Sequence, residues 1–370
     1  MFFYITLFIV VLALAIFADI SEKPLIGLLA IVFVLSVVLG LRDYGVGTDT
    51  LIYPQDYFEK AQLLSIWELF DVMQDYDIGY LILAFIANIF SDNQQSMLFV
   101  TEVFLISVTV FSIFRIKRTL EFSYSVYFLL YCLVFLNPSL NYMRQTCSVS
   151  ILLVGFSCLL ENKWGKYFLA QIIAFFFHSS SLLFLVVPFF LFLYQTCSPK
   201  VRNTVILLFF GSVIVAIISF YEYLQILSAI GVVSETYGDR YGETSKYSSE
   251  NLYGVSYVSY IFLNYLLIWY SLKNKILSEQ NQYLVLCLYT SSVIFFYTST
   301  FVGFLSRLSI YFDYVVTIYL AVLLCSRLIP IYIRAALVVV QCYMWFRLYI
   351  IAESSETVPF TSEILGIGLS

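Results

Sequence analysis

Apolar residues in this chain are gathered into blocks long enough to cross a bilayer, and that one feature restricts the possible folds more than any other. The blocks fall at 2–18, 24–41, 78–90, 97–114, 122–136, 142–160, 165–178, 179–194, 203–220, 253–272, 283–302, 308–325 and 331–349. A hydrocarbon layer of ~30 Å offers backbone groups no water, so such blocks must satisfy their N–H and C=O groups internally, as helices do. Sixty-one per cent of the 370 residues are hydrophobic and only 12 per cent charged, too apolar for a water-exposed surface. The expected fold class is all-α: a polytopic membrane bundle. No Gly/Ser or Pro-rich linker divides it, so residues 1–370 are expected to form a single membrane domain. No A-x-A site follows block 2–18, which is read as a retained span.

Charge sets the orientation. Lys23, Arg115, Lys117, Arg118, Lys163, Lys166, Lys200, Arg202, Lys273, Lys275, Arg327 and Arg334 fall at connections that a positive-inside bias places in the cytoplasm. Lys23 and Arg115 can share that side only if an odd number of spans separates loop 42–77 from Arg115. Block 78–90 has 13 residues, below the ~17 of a span, and is expected to re-enter from the outer face. About twelve transmembrane helices result, with both ends outside, outer loops at 42–96 and 221–252, and an outer tail at 350–370. Within the first loop, Leu63, Ile66, Trp67 and Phe70 recur at i, i+3, i+4, i+7. They predict an amphipathic helix from Asp56 onward, lying on the membrane or on the outer ends of the spans.

Several functions are excluded by composition. A net charge of −5 gives nucleic acid no electrostatic basis for binding. A single histidine, His178, rules out a multi-histidine metal site. The seven cysteines form no C-x-x-C pair and read as apolar filler. No cofactor is called for.

The predicted topology gathers one polar set at the outer face: Arg42, Asp43, Gly45, Gly47, Thr48 and Asp49 after the second span, Arg144 with Gln145, His178, Asp239 with Arg240, and Arg307. Outer arginines run against the positive-inside bias. Each could snorkel or pair with an acid; together they suit an anionic headgroup, because guanidinium grips phosphate oxygens in a fork. Arg42, Arg144, Arg307 and Arg240 are the candidate diphosphate ligands. Gly47 and Thr48 would bring backbone N–H groups to the same anion, with Gln145 in support. His178 and Asp49 are the candidate proton acceptors; an imidazole suits that task near neutral pH. His178 could instead cap a helix end, and Asp49 could N-cap the loop helix. Asp75 and Asp77 form a weak two-carboxylate candidate for a divalent cation, although the arginines leave no need for one. Inside the spans, Glu102 and Asp313 are rare acids that should face a cavity or a cation, and Asp313 could turn toward the cavity of Arg307.

These residues carry a resemblance. Arg42 with Gly47-Thr48-Asp49 and Tyr53, then Asp77-Ile78-Gly79-Tyr80, then Asn141-Tyr142-Met143-Arg144-Gln145, then Phe177-His178 followed by three serines, Arg307, and Val358-Pro359-Phe360 in the tail resemble the EpsG/Wzy-like oligosaccharide repeat-unit polymerases of bacterial polysaccharide pathways. Asp77 stands where the family pattern has Glu, and Phe360 where it has Tyr. The resemblance implies a glycosyltransferase of the bacterial cytoplasmic (inner) membrane with an outward-facing site. It would move a growing glycan from its polyprenyl-diphosphate carrier onto a new lipid-linked oligosaccharide repeat unit. It also implies the lipid bilayer, a flippase and a chain-length regulator as partners. The alternatives are a flippase that carries the lipid-linked glycan without making a bond, and a ligase with a different acceptor.

Overall fold

A computed structural model describes residues 1–69, 71–72, 75–219, 255–298 and 305–368. Among these the chain is helical, with one isolated antiparallel bridge between Ser362 and Ile367 and no strand. It divides into two compact units: Met1–Phe184 with Thr317–Ser370, and Leu185–Val316.

The first unit contains α1 (Phe2–Ile20), α2 (Pro24–Gly40), α3 (Tyr53–Leu63), α4 (Ile78–Phe90), α5 (Gln95–Ile116), α6 (Tyr124–Val134), α7 (Leu136–Asn141), α8 (Met143–Leu160) and α9 (Trp164–Phe177). The second contains α10 (Val186–Thr196), α11 (Pro199–Ile218), α12 (Val255–Lys273), α13 (Glu279–Thr298) and the short α14 (Leu305–Leu308). Helices α15 (Ile310–Cys325) and α16 (Ile331–Phe346) follow. Among the described residues, six stretches are long and apolar enough to cross a membrane: Phe2–Ile20, Gln95–Ile116, Met143–Leu160, Ser179–Thr196, Pro199–Ile218 and Ile331–Ile351.

Helix α8 is the axis of the first unit. It packs on α5 and α9, and α5 packs in turn on α2 and α4. Leu152, Phe156, Thr146, Ser148 and Ser150 of α8 are all buried, so apolar and hydroxyl residues share its surface. The hydroxyls of Thr146, Ser150 and Ser157 turn back onto carbonyls of their own helix, which makes their burial tolerable. Helix α6 begins with free N–H groups, as every helix does. They are met from outside the element: Asp19, at the end of α1, accepts from the N–H of Tyr124 at 2.8 Å and of Ser125 at 2.9 Å, from the Ser123 hydroxyl and from Lys117 Nζ.

The outer-loop helix departs from its predicted register. Helix α3 stops at Leu63, and its buried stripe is Pro54, Tyr57, Phe58 and Ala61, packed toward α4 and α5. The predicted stripe of Leu63, Ile66, Trp67 and Phe70 is not one helical face. Ser65 and Glu68 form a reciprocal capping box that opens a new turn, Ile66–Glu68. The N–H and hydroxyl of Ser65 hold the Glu68 carboxyl below its ordinary range. Trp67 is left 87 per cent exposed, and Phe70 lies outside the described residues. Block 78–90 forms a helix with those same bounds.

Removing the cap supplied from α1 should loosen the first unit. Asp19→Ala is expected to cost ~1–3 kcal/mol, read as a lowered Tm in detergent, with Asp19→Asn recovering part of the loss.

Candidate functional site

The site is built where α7 gives way to α8. Tyr142 lies between them with φ −89 and ψ 49, so the helical ladder is interrupted there. The interruption leaves the Leu140 carbonyl free to accept from Arg42 Nη2 at 3.1 Å and from Thr50 Oγ1. Gly47 approaches the same carbonyl. It has φ +100, and a Cβ built there would stand 2.8 Å from Leu140 O, so glycine is required twice over. Asn141 fixes the next residues: its Oδ1 accepts from the Thr48 hydroxyl at 3.0 Å and from the Asp49 N–H at 2.8 Å.

The backbone donors predicted to meet an anion are engaged by the chain's own tail. Gly47 N–H bonds to Glu356 O and Thr48 N–H to Ser355 O. The tail presents these carbonyls through a left-handed stretch, Glu353, Ser355 and Glu356, at φ 47, 67 and 48. None is glycine, so this turn is held in a conformation that side chains disfavour.

Arg42 lies inside the protein. It and Glu102 are both 0 per cent exposed, and Nη1 meets Glu102 Oε1 at 2.8 Å. Nη1 also bonds to Leu39 O at 2.6 Å, and Nη2 lies 3.1 Å from Met143 Sδ. The intramembrane acid Glu102 faces a cation, as the cost of an unpaired charge demands.

Arg144, one residue beyond Met143, stands at the surface of the same unit. Its Nη1 donates to Asp77 Oδ2 at 2.7 Å and to the Tyr57 hydroxyl at 3.1 Å. Its guanidinium lies 3.7 Å from the centre of the Tyr53 ring, near enough for a cation–π attraction. The same Asp77 oxygen faces His178 Nδ1 at 3.4 Å. Arg144 and Asp77 are each 19 per cent exposed and His178 27 per cent, so the three groups are held by protein yet reachable from solvent. Asp77 is the N-cap residue of α4, and its N–H donates to the Tyr57 hydroxyl at 2.8 Å. Burial pushes the Tyr57 phenol up to about 12, against the pull of Arg144 and with a contribution from Asp77. It therefore keeps its proton while accepting these two bonds. His178 is the C-cap of α9, its N–H on Ala174 O at 3.0 Å. The backbone closes the helix while the imidazole reaches Asp77. Gly79 secures the approach of α4 to α9: a Cβ there would come 2.4 Å from Phe177 Cδ2.

The remaining predicted residues are distributed as follows. Asp49 is half-buried and precedes α3, whose N-cap residue is Ile52. Gln145 is buried in the first turn of α8. Asp75 is exposed, whereas Asp77 faces Arg144 and His178. No group of three or more metal-ligating side chains occurs among the described residues. Arg307 is half-buried in α14 of the second unit. Asp313, also of that unit, accepts from the hydroxyls of Ser292 and Ser309. Asp239 and Arg240 lie outside the described residues. Sequence reasoning passed over Asp77 as an ion partner, and Tyr57 and Asn141 as supports; the signal available for Asp77 and Asn141 was their place in the motifs around Gly79 and Arg144.

The all-helical membrane chain thus sets a guanidinium, a carboxylate and an imidazole together beside a loop-and-tail scaffold. The profile of the EpsG family matches residues 25–362, nearly the whole chain. The chain belongs to the EpsG family, a Wzy-like polysaccharide polymerase family. No curated protein and no solved structure matches it.

The two arginines should separate by experiment. Arg42→Leu or Glu102→Leu alone leaves a buried charge uncompensated and is expected to cost ~3–5 kcal/mol, with the double substitution costing less than either. Arg144→Leu should leave Tm in detergent nearly unchanged.

Proposed function

We propose that this protein is the polymerase of a lipid-linked polysaccharide pathway, working at the outer face of the cytoplasmic membrane through about twelve spans. The observation that carries the reading is the set of Arg144, Asp77 and His178, mostly buried yet reachable, held on three helix ends. Its donor is a growing glycan on a polyprenyl diphosphate, and its acceptor is the terminal hydroxyl of a new lipid-linked repeat unit. The sugar C1–O bond to the diphosphate breaks and a C1–O bond to the acceptor forms. Negative charge collects on the departing lipid diphosphate, and the acceptor hydroxyl releases a proton. Arg144 stabilises the departing diphosphate, and His178 takes the proton. Arg42 serves through the scaffold, by fixing the carbonyl and the helix break that position Arg144. Asp49, with Thr48 and Asn141, lines the neighbouring loop.

The test is reconstitution of the purified protein in liposomes, with lipid-linked repeat units supplied on the outer side alone. Wild type should lengthen the glycan. Arg144→Ala should lower the rate by ~10²–10³ and His178→Ala by ~10²–10⁴, with Arg307→Ala and Arg240→Ala assayed beside them. Passage of intact units across the bilayer without new glycosidic bonds would replace the polymerase by a carrier.

A further inference from the structure

A single carboxylate oxygen serves two partners. Oδ2 of Asp77 takes Nη1 of Arg144 at 2.7 Å and faces Nδ1 of His178 at 3.4 Å. The first is a short charge-assisted bond, and the second lies at the outer edge of hydrogen-bonding range. In this arrangement the guanidinium holds the carboxylate and the imidazole has only a loose claim on it. Yet the guanidinium is also the group that a diphosphate engages. A diphosphate carries more negative charge than Asp77 and offers more acceptor oxygens to the same fork of N–H groups.

We propose that Asp77 is a positioning residue that changes partner when the donor binds. As the lipid diphosphate takes the Arg144 guanidinium, the carboxylate turns to the Nδ1–H of His178. This proposal rests on the reading that Arg144 receives the diphosphate. The framework favours a change confined to side chains. Asp77 is anchored by its N–H on Tyr57, and His178 by its N–H on Ala174. Gly79 lies so close to Phe177 that α4 and α9 are fixed against each other at this level, and Phe177 is itself stacked on Phe104. Rotation of one carboxylate therefore accomplishes the exchange.

The exchange links donor binding to proton transfer. An imidazole that donates through Nδ1 has a bare Nε2, the nitrogen that can take a proton. With the diphosphate bound, the acceptor hydroxyl gives its proton to that Nε2 while its oxygen bonds to the sugar C1 and the lipid diphosphate leaves. His178 ends as imidazolium beside the Asp77 carboxylate, and charge balances. With no donor bound the imidazole is not fixed in this tautomer, so an idle site is poorly set to activate water.

Because the chain has one histidine, its imidazole can be observed alone. Full-length protein in detergent, labelled with ¹⁵N-histidine, would be titrated with a short-chain prenyl diphosphate, and binding followed separately by ³¹P line broadening. The Nε2 resonance of wild type should move toward the bare-nitrogen position as the diphosphate binds. Asp77→Asn should bind the same probe with no such movement. Arg144→Gln should show the moved position before any probe is added, since nothing then competes for the carboxylate; Arg144→Met, likewise uncharged, serves if Arg144→Gln does not fold. In turnover, Asp77→Asn should lower kcat by about 10²-fold or more with KM little changed. Binding without movement of the wild-type resonance would overturn the exchange and leave the diphosphate site standing. Absence of binding would overturn both.

Discussion

The ion pair between Arg42 and Glu102 is the constraint on which the end of the first unit that carries Arg144 depends. Taking two charges out of water costs several kcal/mol each, and the attraction between them offsets that only where further hydrogen bonds complete the geometry. Arg42 also bonds to Leu39 O at the end of α2 and to Leu140 O at the end of α7, while its Nε and the second oxygen of Glu102 are buried without a hydrogen-bond partner among the described residues. One side chain thus joins the exit of α2, the body of α5 and the break before α8. The position of Arg144 follows from that junction, since it lies in the first turn after the break.

The tail completes what the ion pair begins. The Tyr4 hydroxyl of α1 donates to Thr357 O, Asn137 of α7 bonds to the Thr357 hydroxyl at 2.8 Å, and Trp345 of α16 donates to Asn137 at 2.8 Å. Phe360 stacks on Phe3 with ring centres 3.9 Å apart. Residues 355–363 then bond to the first outer loop at Asp43, Gly47 and Thr48. The loop after α2 is thereby tied to three helices, α1, α7 and α16. Such support from surrounding elements is what keeps a loop-borne site in one geometry.

Much of the helical plan was legible in the sequence, because in a membrane an apolar run must be a helix. Blocks 2–18, 24–41 and 78–90 correspond to Phe2–Ile20, Pro24–Gly40 and Ile78–Phe90. The internal breaks were not legible. Block 122–136 and its successor enclose a separate helix, Leu136–Asn141, and block 179–194 opens with a 3₁₀ stretch, Ser179–Leu185. Hydropathy does not show that the polar stretch 136–141 is helical or that residues 179–185 form 3₁₀ turns. The loop helix was misregistered although Ser65-x-x-Glu68 spells a capping box, because periodicity was weighed above capping. Arg144 stands out by its placement against the charge bias and His178 as the single histidine. The pairing of Asp77 with them is not legible, because those partners lie 67 and 101 residues away, and spacing along a chain says nothing about such pairs.

Two of the arginines expected at the outer face, Arg42 and Arg144, differ in environment. Arg42 is enclosed, with a carboxylate, two carbonyls and a sulfur around it. An anion arriving from outside would have to displace Glu102 into a region with no other cation. Arg144 keeps a margin of solvent exposure and shares its carboxylate with an imidazole. A newcomer there displaces a group that has somewhere else to go. The difference lies in what becomes of the carboxylate afterwards: stranding Glu102 is costly in a dry interior, whereas Asp77 has His178 waiting. The same guanidinium chemistry therefore yields a fixed strut at one position and an exchangeable ligand at the other.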